Sequence, residues 1–373
     1  SKQPMNSRLI GRLMQTERKL YIDVLRSVAI LFMIEVHTSA QLAPSNIPKD
    51  SFLALIVASI GGLAAPLFVT LSGWGTQHSL IKKSESPEFN NSILKWAIIR
   101  FTFLIVCQLI VNIIASHVFN WYTPGILSLL AVCTLLSIPL TRLSIRFKFL
   151  IFSILCITPI INSQIFEINS NWSFLIGAQN PIEWFNRMFF NGTYPLFPWA
   201  AFFVLGGILR ESDYILKMKI GGFGITLSIS FIIYSIIKNM EWASTQNNAL
   251  LTFFPASIAF IITASTTVLL FFMILEKFNL KLKSIKFINS FTKIGRLSLT
   301  IYLIHFIPLR IIDEFNWNEW SLSQAAIITL LFTFIWWPLS VIHNKWANKY
   351  SFEMLLKHIL AKKNIPSTSV RES

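Results

Sequence analysis

Charged side chains are scarce in this chain of 373 residues: they make up 13% of it, whereas hydrophobic residues make up 54%. An ordinary soluble domain carries about twice that charged fraction. Apolar runs of about twenty residues, the length that crosses a bilayer as a helix, recur along the chain. The composition therefore excludes an ordinary soluble enzyme and predicts an all-α, polytopic integral membrane bundle of about ten transmembrane helices.

Acidic residues are also few, with 17 Asp and Glu against 32 Lys and Arg, so the formal net charge is +15. Most of the basic residues lie in short runs between apolar spans. That placement follows the positive-inside rule, so it indicates membrane orientation and no nucleic-acid partner. We expect a multi-pass protein of the cell (inner) membrane with both termini in the cytoplasm.

Cysteine is rare, and Cys107, Cys133 and Cys156 all lie in apolar segments. The chain has no CxxC motif and no even-numbered cysteine framework, so we predict buried, unreactive thiols and neither a disulfide scaffold nor structural zinc. His, Asp and Glu show no metal-ligand spacing, and there is no P-loop or GxSxG elbow. We therefore predict no metal.

The apolar runs divide the chain into a cytoplasmic segment at 1–19, a transmembrane domain at 20–345 and a cytoplasmic tail at 346–373. The predicted spans are Leu20–Leu42, Phe52–Trp74, Ile93–Phe119, Thr123–Leu140, Phe149–Asn162, Pro195–Leu209, Ile220–Lys238, Leu251–Leu275, Leu297–Ile312 and Leu322–His343. The longest outer segment, Ser163–Tyr194, is too polar to span, and we expect a lid or a re-entrant element there.

The first span is apolar enough to cross a bilayer, yet it contains Asp23, Arg26, Glu35 and His37. Each ionisable group at the centre of a membrane helix costs roughly 2.5–3.5 kcal/mol, so it needs a partner, a water-filled cavity or a function. At about 100° per residue, Asp23, Arg26 and His37 share one arc of the helix, and Glu35 points away. The pattern predicts one polar stripe, with His37 roughly 16 Å beyond Arg26.

His37 is the first candidate for catalysis, because a neutral imidazole takes a proton from a hydroxyl or an amine near neutral pH. The structural alternative is an interfacial histidine bonded to a backbone carbonyl. Arg26, oriented by Asp23, is suited to bind a phosphate, although a simple ion pair that lowers the cost of insertion is an equal alternative. Glu35 pairs with another helix or lies among the headgroups.

Further candidates lie in other spans. Ser72 belongs to a run of small residues, which usually indicates close helix packing. The alternative interpretation is a narrow channel lined by the backbone and Ser72. Trp199 follows two prolines at the start of a helix, where an aromatic anchor is the plain interpretation. Tyr302 and His305 lie near mid-depth in the ninth span, and a lone histidine there is more often a satisfied core group than a catalyst.

These stretches together resemble the heparan-α-glucosaminide N-acetyltransferase catalytic-domain family, within the transmembrane acyltransferases that include acyltransferase 3. The resemblance runs from about Arg18 to Ile342. The matching residues are Ile22–Arg26 with Val36-His37, Ala65–Phe68 with Leu71–Gly73, Pro124–Leu127, Tyr194–Trp199 with Leu205-Gly206, and Leu299–His305.

The resemblance implies acetyl-CoA or another acyl-CoA as a cytoplasmic donor and an extracytoplasmic sugar, glycan or glycolipid as acceptor. The donor phosphates would lie at Arg26 and Arg100, near Asp23 and Ser72. Trp199, Tyr302, His305 and Glu35 are then candidate acceptor contacts. The chain departs from the family pattern at Ser27, where the family commonly has Gly, and in the loop Thr38–Ser51, which lacks the histidine of lysosomal members.

We expect a membrane acyltransferase that moves an acetyl or similar group to a hydroxyl or amine, with His37 as general base or as a transient acyl carrier. The alternative is a glycolipid transporter or flippase, because a polar stripe inside a bundle also serves a translocation path. A structural membrane subunit is the third possibility. The sequence identifies neither the acceptor nor the oligomeric state.

Overall fold

The structure is a computed structural model that describes residues 19–44, 47, 51–84, 87–166, 169–246, 249–315 and 320–362. It is almost entirely helical. The helices are α1 Leu20–Leu42, α2 Phe52–Ser84, α3 Pro87–Ile114, α4 Ile126–Arg142, α5 Ile145–Ile165, α6 Trp172–Ile176, α7 Pro181–Asn186, α8 Leu196–Glu211, α9 Tyr214–Ile237, α10 Ile258–Lys277, α11 Asn279–Ser284, α12 Ile288–Arg296, α13 Ser298–Ile304, α14 Phe306–Glu314, α15 Leu322–Trp346 and α16 Phe352–Lys362.

Six helices of the described chain are long and apolar enough to cross a membrane: α2, most of α3, α5, α9, α10 and α15. Two bent pairs raise that number to as many as eight. One joins Pro181–Asn191 to α8 at 44°, and the other joins α12 to Ser298–Glu314 at 65°. The predicted all-α, polytopic membrane class is confirmed. The other two predicted spans, α1 and α4, have 23 and 17 residues and are not among these eight, so the predicted number of about ten stays a prediction.

Helix α1 lies inside the bundle, where it packs against α2, α12 and α15. Leu25, Ala29, Ile30 and Ile34 point in several directions around its axis, and all are fully buried. A helix that is apolar and buried around its circumference belongs to the interior of a bundle. The polar stripe of α1 therefore faces other helices, so its charged groups meet protein side chains.

Small residues bring α2 against α8. A Cβ atom built on Gly73 would collide with the backbone carbonyl of Phe203, and one built on Gly206 would collide with the carbonyl of Thr70. Only glycine permits helix backbones to approach this closely. The packing interpretation of the small-residue run in α2 is thus confirmed at Gly73.

Ser27, the residue that departs from the family pattern, joins α1 to α12. Its buried hydroxyl accepts from the amide of Gly295 at 3.0 Å and lies 3.0 Å from the carbonyl of Phe291, to which it donates. Its other carbonyl neighbour is Asp23, also at 3.0 Å. A glycine at position 27 would supply none of these bonds, so the serine fixes α12 beside the charged end of α1.

Buried ion pairs lie at the end of the bundle where α1 begins, which we call the basic end. The fully buried Lys148 donates to Glu211 at 2.5 Å and to Gln77 at 3.0 Å, which connects α5, α8 and α2. Lys217 pairs with Glu276 at 2.6 Å between α9 and α10. Buried charges persist only when they are paired in this way.

Several helix boundaries differ from the predicted spans by a few residues or more, and the start of the eighth predicted span differs in its type of structure. Residues Leu251–Phe254, which we expected to be helical, form strand β2, parallel to β1 at Ala243–Gln246. The helix begins later because Pro255 has no amide proton to donate and the hydroxyl of Ser257 accepts from the amide of Phe260, which caps α10.

The outer segment Ser163–Tyr194 contains two short helices and a π-helical turn, Arg187–Asn191. Its base is tied to the α3–α4 connection. The indole of Trp172 donates to the carbonyl of Val118 at 3.0 Å, and the hydroxyl of Thr123 donates to the carbonyl of Ile176 at 2.9 Å. The segment therefore packs against the bundle end opposite the basic end, and a role as a lid stays a prediction.

Candidate active site

His37 and His305, two of the predicted site residues, form a pair between α1 and the α13–α14 junction. Nδ1 of His37 lies 2.8 Å from Nε2 of His305, within hydrogen-bond distance, and the ring planes lie within 13° of each other with centroids 5.1 Å apart. Tyr302 lies 6.1 Å and Phe306 4.6 Å from the His37 ring. The structure thus brings His37, Tyr302 and His305 together, whereas the sequence predicted them only as separate candidates in different spans.

The two histidines differ in exposure. His305 is completely buried, and its Nδ1 lies 3.1 Å from the backbone carbonyl of Ile301. His37 is half-buried as a residue. Of the pair, His37 is therefore the less enclosed residue.

One face of α2 extends from the histidine pair toward Arg26. Phe68 stacks on Tyr302 at 6.0 Å, Ser72 lies one turn further along, and Gly75 follows on the same face. A Cβ atom at Gly75 would lie 2.8 Å from Nη2 of Arg26. Phe68 and Gly75 are about 10 Å apart along the helix, so this face connects the pair to the guanidinium group.

Arg26 and Asp23 form the predicted pair one turn apart on α1. Nη1 of Arg26 lies 3.6 Å from Oδ1 of Asp23, and the Arg26 side chain keeps 38% of its surface exposed. The ion pair and a role in binding are compatible, because a guanidinium group has five N–H donors and this carboxylate occupies only part of them.

Further basic side chains lie close to Arg26 or to its neighbour His78, and together they form what we call the basic cluster. His78 lies within electrostatic range of Arg26, Lys19, Lys82 and Arg210. Arg100 lies within range of Arg26, and its guanidinium packs 4.9 Å from the centroid of the Trp96 ring. Burial lowers the pKa of Lys19, and neighbouring Lys217 and Arg210 add to that effect, which Glu276 opposes. The basic cluster comprises Lys19, Arg26, His78, Lys82, Arg100 and Arg210.

Several buried N–H donors beside this cluster have no acceptor within the part of the chain that the structure describes. They are Nε of Arg100, Nε of Arg210, Nε1 of Trp74 and Nε2 of Gln77. An unsatisfied buried donor costs about 1–3 kcal/mol, so the arrangement is suited to an acceptor-rich anion. Basic side chains together with N–H donors that lack acceptors are the groups that bind phosphate in proteins.

The model of the family described as heparan-alpha-glucosaminide N-acetyltransferase, catalytic, matches residues 18–220, more than half of the chain. The chain belongs to this family. No curated protein matches the chain. The family implies a membrane acetyltransferase. The match confirms the resemblance drawn from the sequence motifs.

The acetyltransferase family match covers α1 to α8 and includes Arg26, His37, Ser72, Arg100 and Trp199. Tyr302 and His305 lie beyond it. The second histidine of the pair is therefore supplied by a part of the chain outside the matched residues.

Two predicted residues lie apart from the histidine pair. Trp199 is fully buried in an aromatic cluster with Tyr194 at 4.9 Å and Phe253 at 5.1 Å. Glu35 is 5% exposed, and its Oε2 has no hydrogen-bond partner among the described residues. Their assignment as substrate contacts stays a prediction.

Sequence reasoning missed several groups that position the site. Arg210, His78 and Lys19 lie in the basic cluster with Arg26, but neighbours on different helices cannot be recognised from spacing along the chain. Glu353, in α16, accepts from the amides of Leu299 and Thr300 at 2.7 and 3.1 Å. It caps α13, the helix that carries Tyr302 and leads into His305.

Proposed function

We propose that this protein transfers an acetyl or similar acyl group from cytoplasmic acyl-CoA to a hydroxyl or amine of an extracytoplasmic sugar or glycan. The observation that carries the proposal is the histidine pair, which lies at the end of a helix face that begins at the basic cluster. Family membership supports acetyl transfer, and the helix face supports a donor that reaches from one end of the bundle toward the other.

His37 is the reacting residue in this proposal. As a general base, it takes the proton from the acceptor hydroxyl while the acceptor oxygen bonds to the thioester carbonyl carbon. The carbon–sulfur bond then breaks, and His37 returns the proton to the departing thiolate. As an acyl carrier, His37 bonds to the carbonyl carbon while the carbon–sulfur bond breaks and the CoA thiolate leaves. The acceptor oxygen or nitrogen then bonds to the same carbon, the carbon–nitrogen bond to His37 breaks, and the acceptor proton passes to the released imidazole. In both routes an imidazole nitrogen with a free lone pair is required.

The basic cluster is the donor end. Acyl-CoA carries several phosphates on a long thin pantetheine arm, which fits cations and orphaned N–H donors at one end and a narrow helix face beyond them. Arg26 and Arg100 would bind phosphate, Asp23 would orient Arg26, and Ser72 would lie along the arm. The positive-inside rule makes this end cytoplasmic, where acyl-CoA is found.

The acceptor would approach from the opposite end. One turn beyond His37 on α1, Gln41 donates to Asp313 of α14 at 3.1 Å. Asp313 is half-buried, and His117 lies within its electrostatic range. An amide and a carboxylate are groups that bind hydroxyls, which supports a sugar at this mouth.

The test is transfer from radiolabelled acetyl-CoA to a panel of sugars by the purified protein in detergent. We expect the wild type to label an acceptor and His37→Gln to lose activity by about 10²–10⁴-fold, the contribution typical of acid–base catalysis. His343→Gln, which changes a histidine near the end of α15, is the matched control and should retain activity. Equal turnover by wild type and His37→Gln would exclude His37 as the reacting residue.

Glycolipid transport is the second candidate, and the two bent helix pairs favour it, because transporters bind substrates at broken helices. It predicts movement of the lipid across liposomes without release of free CoA. Measuring both quantities in one proteoliposome sample separates the two: thiol release that depends on acceptor supports the transferase, and lipid movement without it supports the transporter.

A further inference from the structure

The order of hydrogen bonds around the histidine pair fixes where its protons lie. The carbonyl of Ile301 is only an acceptor, so the Nδ1 atom of His305 that faces it at 3.1 Å must carry a proton. In a neutral imidazole the other nitrogen is then an acceptor. Nε2 of His305 therefore presents a lone pair to His37.

The same reasoning continues to His37. Its Nδ1 lies 2.8 Å from Nε2 of His305, so in the neutral pair this nitrogen must be the donor. The proton of His37 is then held on Nδ1, and Nε2 is left with its lone pair. The reverse order would place the lone pair of His305 Nδ1 against the carbonyl of Ile301, which is repulsive.

We infer that His305 is a positioning residue that sets the tautomer of His37, so that Nε2 of His37 is the atom that reacts. This inference rests on the proposed function and adds to it a second residue and a specific nitrogen. It holds whether Nε2 takes a proton or receives the acyl group, because each step uses the same lone pair. Once Nε2 is protonated, His305 accepts from an imidazolium, and a charged donor strengthens the bond by which His305 stabilises it.

Burial supports the division of roles. His305 is completely buried between Tyr302 and Phe306, whose rings lie 5.7 and 4.2 Å from its own. No surface remains on it for a substrate, whereas His37 is half-buried. The inner ring orients and the outer ring reacts, which is the relationship between an orienting group and a base in hydrolytic triads.

The kinetic test compares two replacements of His305. Phe keeps an aromatic ring of similar size but offers no acceptor, and Gln offers an amide oxygen at about the depth of Nε2. A wrong histidine tautomer lowers kcat by about 10⁴-fold in hydrolytic triads. We expect His305→Phe to lower kcat by about 10²–10⁴-fold, the range that acid–base catalysis contributes, with little change in KM for acyl-CoA. His305→Gln should recover at least tenfold of that loss. Activity in the Phe variant equal to that in the Gln variant would overturn the inference.

The spectroscopic test does not depend on turnover. Solid-state NMR of ¹⁵N,¹³C-histidine-labelled protein in lipid distinguishes Nδ1–H from Nε2–H imidazoles, and His37→Gln and His305→Gln identify the two signals by their loss. We expect both rings to be Nδ1-protonated in the wild type, and His37 to become a mixture of tautomers in His305→Phe. A wild-type His37 that is protonated on Nε2 would overturn the inference.

The two proposals fail separately. Correct tautomers in a protein that transfers no acyl group from acetyl-CoA would reject the proposed function and leave the hydrogen-bond order standing. Active enzyme with His37 protonated on Nε2 would reject the inferred tautomer and leave the proposed function standing.

Discussion

The side chain of Arg26 packs closely against residues of α1, α2 and α12, although part of it stays exposed. Asp23 lies 3.6 Å from Nη1, and Gly75 leaves space for Nη2 where any other side chain would lie within 2.8 Å of it. On the other side, a Cβ atom at Gly295 would lie 2.9 Å from Cβ of Arg26. The two glycines thus leave space for Arg26, and the carboxylate of Asp23 orients its guanidinium group.

Loss of that guanidinium should weaken donor binding. We expect Arg26→Gln to raise KM for acyl-CoA by about 10–100-fold, because a hydrogen bond to a charged group contributes about 1.5–3 kcal/mol. KM for the acceptor should change little. Initial rates at varied acyl-CoA measure the effect, and Arg142→Gln, at an exposed position in the last turn of α4, is the control. An unchanged donor KM would remove Arg26 from the donor site.

Among the elements, α2 connects the most features of the site. Its glycines permit contact with α8 and with Arg26, and its Phe68 stacks on Tyr302 beside the histidine pair. A shift of α2 would therefore alter the surroundings of Arg26 and of the histidine pair at once. Helix α13 is held at its start by Glu353 of α16, whose carboxylate accepts from the amide of Leu299.

Overpacking α2 should destabilise the fold. Gly73→Ala places a methyl group against the carbonyl of Phe203, and overpacking a close contact costs typically about 1–3 kcal/mol. The matched control is Gly62→Ala on the same helix, where nothing lies within 4 Å. Thermal unfolding in detergent should show a lower Tm for the first variant only. Equal Tm values would mean that α2 and α8 pack more loosely than described.

Removing the cap of α13 should affect activity through position. Glu353→Ala leaves the amides of Leu299 and Thr300 without their acceptor, and loss of a cap costs typically about 0.5–2 kcal/mol. We expect a lower Tm and a lower kcat, while Glu241→Ala, an exposed carboxylate outside the helices, changes neither. A variant with a lowered Tm and full kcat would show that the cap stabilises the fold without positioning the pair.

At the scale of the molecule, orientation decides which substrate meets which end. Basic residues collect where α1 begins, and the positive-inside rule predicts that this end faces the cytoplasm. Cys107, Cys133 and Cys156 are buried, so new surface cysteines report topology against a low background.

Two single substitutions test this orientation. Gln179 and Lys357 are both exposed, the first before α7 and the second in α16. A membrane-impermeant maleimide added to intact cells should label Gln179→Cys and leave Lys357→Cys unlabelled until the membrane is opened. The opposite pattern would invert the bundle and place the basic cluster outside, which would reject a cytoplasmic donor at that end.

The sequence by itself determined the membrane class and the family, and it predicted the candidate site residues on α1. Scarcity of charge and the length of apolar runs are properties of the chain alone, and the spacing of Asp23, Arg26 and His37 follows from helix periodicity. Start and end of α1 coincide with the predicted span Leu20–Leu42.

Only the tertiary structure decided what those residues meet. His37 and His305 are 268 positions apart and lie 2.8 Å from each other because α1 packs between helices from both halves of the chain. Arg210 and His78 join Arg26 for the same reason. Contacts between helices depend on which faces pack together, and small residues such as Gly73 and Ser27 set that packing without any periodic signal in the sequence.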